Sequence, residues 1–379
     1  MASSKKSFRN AVLKSSEYAT DMANLESIYE CKTYIDSGNV MLNMLLSGKF
    51  DGGYPAGRII TLSGEAGAGK SMLIMKGLLN FLKKHEDNQI VLYETEGAVL
   101  ADVIPEELRE RFLVVPVQTI EEFSKSIVKL VDKYQESYVE EIKAGETRVL
   151  FALDSLGNLA FEKEITDSEA GKSASDMGLK AKKFKQLGRN ICMKLAKIRT
   201  ALIVSNHIYA NPNAGMYATR KERYAQSGGS GIVYLSSIII NLEKALDREQ
   251  EKGTKFKRAS KAKIKAILDK SRFIREDSFI RFTIDFDKGI NSLSGLIEFF
   301  DEFNMFEKVT AQTYKFLDFT GRKKELIKFI ITSYLTDKDK KEQMEKLIQD
   351  KICYGNCDLV NDDYNFDDIL EDETNNEDK

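Results

Sequence analysis

The chain has 379 residues, 42% of them hydrophobic and 31% charged, with a formal net charge of −2; that length exceeds a typical single domain, so one large core with smaller appendages is expected. No run approaches the roughly 18 apolar residues needed to cross a bilayer, and the opening MASSKKSFRN lacks the apolar stretch of a secretory signal, which predicts a soluble cytoplasmic protein without a membrane partner. Four cysteines are too sparse for a disulfide framework, and Cys353 with Cys357 has no second pair or histidine cluster to complete a zinc site, so they read as structural thiols.

Residues 1–33 are polar with scattered apolar positions such as Phe8, Val12 and Leu13, and read as an arm with helical pieces. From Asn39 the run VMLNMLLSG gives an apolar helix that ends at Gly48, followed by the turn-rich GKFDGGYPAG. The pattern then alternates. Short β-rich or apolar runs at 58–62, 89–93, 113–117, 148–153 and 200–205 each suit a strand buried on both faces. Between them, 71–85, 120–136 and 174–198 have helical length and periodicity. Such a βαβ succession predicts an α/β fold with a mostly parallel sheet and helices on both faces. Further strands at 236–242, 261–268 and 279–286 extend the same sheet, the first two joined by a charged hairpin. The core is therefore expected over 34–295, with a small, mainly helical domain over 296–357. Residues 358–379 hold ten acids and one lysine, a net −9 that leaves +7 on residues 1–357. A basic body with an acidic, disordered tail suggests a polyanionic partner and an internal competitor for its site, or a solubilising end.

The strongest chemical signal is Gly64-Glu65-Ala66-Gly67-Ala68-Gly69-Lys70-Ser71, which fits the phosphate-binding loop pattern G-x-x-x-x-G-K-[ST]. It follows the apolar strand RIITLS and opens the helix MLIMKGLLNFL, the context that the motif requires. Glycines let backbone N–H groups approach phosphate oxygens, and a helix N-terminus adds a favourable dipole. Lys70 is expected to reach the β and γ phosphates of ATP, and Ser71 to ligate Mg²⁺. Asp154, at the end of RVLFALD, is the acid that would hold the metal from a neighbouring strand. Hydrolysis also needs a group that orients water, and Glu94 and Glu96 at the end of IVLYETEG are both candidates; spacing alone does not choose between them.

The succession GRIITLSGEAGAGKS, VLYETEGAVL, LFALDSLGNLA, DMGLKAKKFKQL, ALIVSNHIYANP and SGGSG resembles the RecA-type recombinase family, and DSLGNLA with the SNH strand end is most similar to its T4-type phage UvsX branch. The resemblance runs from about Tyr34 to about Phe299. It implies a RecA-like P-loop ATPase core with a short N-terminal assembly arm, and a chain that forms a helical filament. In the family the water-activating glutamate is the second acid of its strand-end motif, which is Glu96 here. The residue that senses the γ-phosphate falls at His207, where RecA itself usually has Gln and phage members have His.

Two disordered-looking segments lie where the family has its DNA-binding loops. The first, 161–177, leads into a basic helix with Lys180, Lys182 and Lys183; the second, 209–231, holds Arg220, Lys221, Arg223 and Tyr224. Lys and Arg neutralise phosphates without reading sequence, and tyrosines stack on unpaired bases. Lys270 and Arg272 align with the family's basic residues that reach the neighbouring subunit's ATP, and the basic run 252–265 is a candidate second site for duplex DNA. The implied activity is DNA-dependent ATP hydrolysis, with homologous pairing and strand exchange between single-stranded DNA and duplex in recombination and repair. A recombination mediator and a single-strand-binding protein are the implied partners. Two rivals are a hexameric RecA-fold replicative helicase, for which about 33 residues before the core are too few for a scaffold domain, and a filament or mediator protein that binds ATP without hydrolysing it.

Overall fold

The computed structural model describes residues 33–97, 103–171, 177–250 and 257–354, together with Phe8, Asn10, Ala11, Leu13 and Lys14. Most of the arm read over 1–33, and all of the acidic tail read over 358–379, lie outside the described residues.

A two-stranded ribbon, β1 (Tyr34–Ile35) with β2 (Tyr54–Pro55), flanks the buried helix Val40–Ser47. The Asn39 side chain caps that helix at Leu42, and Gly48 ends it in the left-handed conformation. The central sheet takes β3 (Ile59–Gly64), β4 (Gln89–Glu94), β5 (Phe112–Pro116), β6 (Val149–Asp154), β7 (Leu202–Ala210), β8 (Tyr224–Gln226), β9 (Ile238–Gln250), β10 (Lys257–Lys270), β11 (Phe279–Asp285) and β12 (Gly289–Ile290). Its order is β12-β11-β10-β9-β3-β7-β6-β4-β5, with β8 paired on β7. All pairs from β9 to β5 are parallel, whereas β10, β11 and β12 add antiparallel.

Side chains that alternate along a strand explain the continuous apolar runs. Ile60, Leu62, Ile90, Leu92, Leu150 and Ala152 enter one apolar cluster, and Ile59, Val91, Tyr93, Phe151 and Leu153 enter another on the opposite face. Helix Lys70–Lys84 covers the first through Leu73, Ile74, Leu78 and Leu82. Helices Ile120–Ser137 and Met177–Ile198 cover the second through Phe123, Ile127, Val131, Phe184 and Ile191, which recur at helical spacing. A reciprocal cap between Thr119 and Glu122 fixes the start of Ile120–Ser137.

Three sequence expectations are corrected. Strand β5 is not buried on both faces: Leu113 and Val114 are 46% and 43% exposed, because among the described residues β5 is the sheet's edge and pairs only with β4. The segment 209–231 is ordered. Strand β7 runs on to Ala210, β8 returns against it, and Asn211 ties the turn through its amide to Arg223 O (2.8 Å) and its side chain to Glu222 O (3.0 Å). In the first segment the helix Glu162–Glu169 forms, while 172–176 lie outside the described residues.

Past β12, helix Leu296–Glu302 packs on β11, and helices Lys323–Thr336 and Lys338–Ile352 follow. A small antiparallel sheet of β13 (Glu307–Lys308), β14 (Thr313–Phe316) and β15 (Phe319–Arg322) adds to this mainly helical segment, in a place where the sequence reading had no strands. Leu326, Ile330, Met344 and Ile348 join the same apolar cluster as Leu45 and Leu62. Among the described residues no helix is long and apolar enough to cross a membrane.

Candidate nucleotide site and nucleic-acid interface

Strand β3 delivers the loop Gly64–Ser71 at its C-terminal end, where Gly64 stands beside His207 on β7 and Leu242 on β9. Gly67 and Gly69 adopt φ of 72° and 91°, which L side chains rarely take, and a Cβ on Gly69 would lie 2.8 Å from Ile284 Cδ1. Only glycine there lets the chain turn from strand to helix this tightly. Lys70 is 5% exposed, and its Nζ folds back to donate to Gly64 O (2.9 Å) and Glu65 O (2.8 Å). Burial pushes its pKa down, and the charges of Asp154 and Glu96 oppose that.

Gly67, Gly69, Lys70, Ser71, Glu96, Asp154 and His207 line one cavity of about 330 Å³, a size in the range of ligand sites. Ala66 also lines it; Gly64, Glu65 and the buried Ala68 complete the loop without lining the cavity. A second, more apolar cavity of about 400 Å³ adjoins it, sharing Ser71, Glu96 and Asp154 and adding Met75, Leu79 and Val103. Asp154 ends β6 and accepts a hydrogen bond from the Ser205 hydroxyl on β7. The donor set of Ser71 hydroxyl and Asp154 carboxylate suits a hard cation such as Mg²⁺, which keeps several non-protein oxygens.

Geometry separates the two glutamates. Glu94 is 8% exposed and accepts the amides of Glu96 (2.9 Å) and Gly97 (2.6 Å), so its carboxylate holds the turn. Glu96 Oε1 instead accepts from Asn158 Nδ2 (2.7 Å) and Ser155 Oγ (2.9 Å), with His207 Nε2 at 3.5 Å. Sequence reasoning missed Asn158 and Ser155, although both stand within four residues of Asp154 in LDSLGN. It also missed Lys244, which lines the cavity and donates to Gly67 O at 2.8 Å from β9. Nothing local marks that contact, because 177 residues separate the partners.

The basic segments emerge from the same strand ends. Lys180 is half-buried and donates to Gly157 O at 3.1 Å, Lys183 pairs with Glu121 at 3.1 Å, and Lys182 is exposed. In the second segment Met216 and Tyr217 are exposed, Tyr224 is half-buried, and Arg223 Nε donates to Ala218 O at 2.8 Å. Arg220 pairs with Asp269 and, at 3.5 Å, with Asp277; Lys221 pairs with Glu276 at 2.8 Å. Burial disfavours the charge on Arg220, but the hydrogen bond and charge of Asp269 outweigh it and push the pKa up. Lys270 and Arg272 are apart from the phosphate cavity of their own chain. Lys270 Nζ donates to Val233 O (2.6 Å) and Ser236 O (2.7 Å), while Arg272 is exposed. The described part of the basic run 252–265 lies on β10.

A strand–loop–helix turn at the middle of a mostly parallel sheet, with acids at the C-terminal ends of β6 and β4 on the far side of β7, fits the RecA-like P-loop core expected from the sequence. No family model matches the chain. It is similar to the "Recombination and repair protein" of Enterobacteria phage T4, with 29% identity over 266 residues, 68% of this chain. That match spans 61% of the T4 protein, less than two thirds of its length. Protein RecA of Trichodesmium erythraeum is 23% identical over 356 residues, 90% of this chain and 87% of that protein. Protein RecA of Borreliella burgdorferi is 24% identical over 345 residues, 90% and 85% of the two chains. The resemblance to RecA-type recombinases, the T4 phage protein among them, is thereby shown along most of the chain.

Proposed function

We propose that the chain is an ATP-dependent DNA recombinase that assembles as a helical filament on single-stranded DNA and promotes homologous pairing and strand exchange with duplex DNA. The observation that carries this reading is the shared cavity of Lys70, Ser71, Glu96, Asp154 and His207, with a basic segment following each of the strands that bear Asp154 and His207. Lys70 leaves the carbonyls of Gly64 and Glu65 to bind phosphate, Glu96 orients the attacking water, and His207 senses the γ-phosphate from its place on β7 beside Gly64. Ser71 and Asp154 would hold Mg²⁺, which would supply positive charge to the phosphate oxygens. The apolar cavity beside the phosphate site suits a nucleobase. Lys180, Lys182, Lys183, Arg220, Lys221 and Arg223 take DNA phosphates, and Tyr224 contributes stacking. Lys270 and Arg272 act on the neighbouring subunit's nucleotide, and the domain limits at 33, 295 and 357 belong to the same reading.

The test is ATP turnover and negative-stain imaging with and without single-stranded DNA. ATP-dependent open filaments and DNA-stimulated hydrolysis are expected, and Lys70→Ala on its own is expected to lose hydrolysis and the dependence of assembly on ATP. Closed rings that translocate on DNA, or filaments without hydrolysis, would overturn the reading in favour of a helicase or a non-hydrolysing filament protein.

The acids around the second segment give a separate expectation. Lys221 is engaged by Glu276 and Asp277 before any DNA arrives. Exposed ion pairs are worth at most about 1 kcal/mol, so Glu276→Gln with Asp277→Asn is expected to tighten nucleotide-free DNA binding by about two- to fivefold at low salt, fading as salt screens the charges. Fluorescence anisotropy of a labelled oligonucleotide measures it, and identical affinities at every salt concentration would rule out competition by these acids.

A further inference from the structure

Asn158 ends the short 3-10 turn Leu156–Asn158, which links Asp154 to the first basic segment. Its amide and the Ser155 hydroxyl both donate to Glu96 Oε1, at 2.7 and 2.9 Å. No hydrogen bond from the described residues reaches Glu96 Oε2. Glu96 lines the phosphate cavity and Asn158 does not. One oxygen is anchored and the other is left for water, which is what a general base needs if its rotamer is to be held by its surroundings.

The residue before Asn158 is where both basic segments meet the turn. Gly157 O accepts from Lys180 Nζ at 3.1 Å and, more weakly, from Ser227 Oγ at 3.5 Å. A Cβ on Gly157 would lie 3.2 Å from Ser227 Oγ and 3.4 Å from Asn206 Oδ1, so the turn packs closely against the return of the second segment. Asn206 Oδ1 is buried without a partner among the described residues, beside His207. On the functional reading above, DNA phosphates would compete for the same Lys180 ammonium that Gly157 O holds, and a hydrogen bond weakens steeply once its geometry is disturbed. A change at Gly157 is therefore felt one residue on, at the bond that orients Glu96.

We propose that Asn158 is a positioning residue for Glu96, and that the Leu156–Asn158 turn carries contact with single-stranded DNA from both basic segments to that carboxylate. This rests on the functional reading above. A hydrogen bond to a charged group is worth enough that its loss costs about tenfold or more in rate. In the presence of a single-stranded oligonucleotide, Asn158→Ala is expected to lower kcat about tenfold. KM for ATP should stay within about twofold, since Asn158 is outside the cavity. The ratio of DNA-stimulated to DNA-free turnover should fall with it. Asn158→Asp keeps the shape but sets a carboxylate against Glu96, and should be slower than Asn158→Ala. Asn158→Gln, which retains the donor, should recover part of the rate. Asn158 is exposed, so none of these changes touches the core. Unaltered kcat and stimulation in both the Ala and Asp variants, or a raised KM with unaltered kcat, would overturn the proposal while leaving the recombinase reading intact. An unsubstituted chain that hydrolyses no ATP with DNA present would overturn both.

Discussion

Glu96→Gln is expected to keep ATP and single-stranded DNA binding while cutting steady-state ATP hydrolysis about 10²- to 10⁴-fold, the contribution of a positioned general base. Glutamine is nearly isosteric and retains an oxygen that can accept from Asn158 and Ser155, as Oε1 does. It loses only the charge that draws a proton from water. Glu94→Gln should behave differently. The Glu94 carboxylate accepts two backbone amides with its two oxygens, and an amide offers one acceptor and one donor, so one N–H is left facing an N–H. That variant should lose activity together with thermal stability, because an unpaired buried donor costs about 1 to 3 kcal/mol. Single-turnover hydrolysis alongside thermal melts separates the two cases. Ordinary turnover in Glu96→Gln would remove it from the role of base.

The parallel strands were legible because burial on both faces leaves an uninterrupted apolar run, as in β3, β4 and β6, and the loop glycines stand at a spacing that only a tight strand-to-helix turn requires. Strand β5 has the same apolar composition, yet its exposure follows from its position at the edge of the sheet, which depends on the chain as a whole. The small sheet β13–β15 was hidden by segments of two to four residues, too short for a period to register. Order in 209–231 rests on pairing between Ile208–Ala210 and Tyr224–Gln226 and on the Asn211 side chain, neither of which composition reveals.

For the site, residue types and strand ends were enough to name Lys70, Ser71 and Asp154 and to leave Glu94 and Glu96 as alternatives, while Glu96 and His207 were singled out by the resemblance to RecA-type recombinases; Lys70, Ser71, Glu96, Asp154 and His207 meet in one cavity. Residues that act through a neighbour were not visible. Asn158 and Ser155 become meaningful only when the end of β6 lies beside the end of β4. Charge runs carry less: Arg220 and Lys221 read as contacts to DNA phosphates, and their ion pairs with Asp269, Glu276 and Asp277 were not foreseen. A one-dimensional charge run says nothing of partners some fifty residues away.

Lys270→Ala combined with Arg272→Ala is expected to cut DNA-stimulated ATPase activity about 10³-fold or more, the scale of a cation supplied across a P-loop boundary. Both residues stand apart from the cavity at Lys70 of their own chain, so a direct contact with a bound nucleotide would have to be made on a second copy. Burial and the nearby Arg272 push the pKa of Lys270 down. The carbonyls of Val233 and Ser236 hold it in the free chain, and a phosphate is the stronger acceptor for that charge. A head-to-tail filament repeats one heterologous contact, so each boundary joins the phosphate loop of one subunit to the cations of the next. Mixing the double variant with Lys70→Ala chains therefore rebuilds intact boundaries: in equal mixtures, roughly a quarter join a sound loop to sound cations. Turnover should rise from near zero in either variant alone to a maximum near equal proportions. If the mixtures stay inactive at every ratio while light scattering shows that both chains fold and assemble together, Lys270 and Arg272 do not act across the boundary.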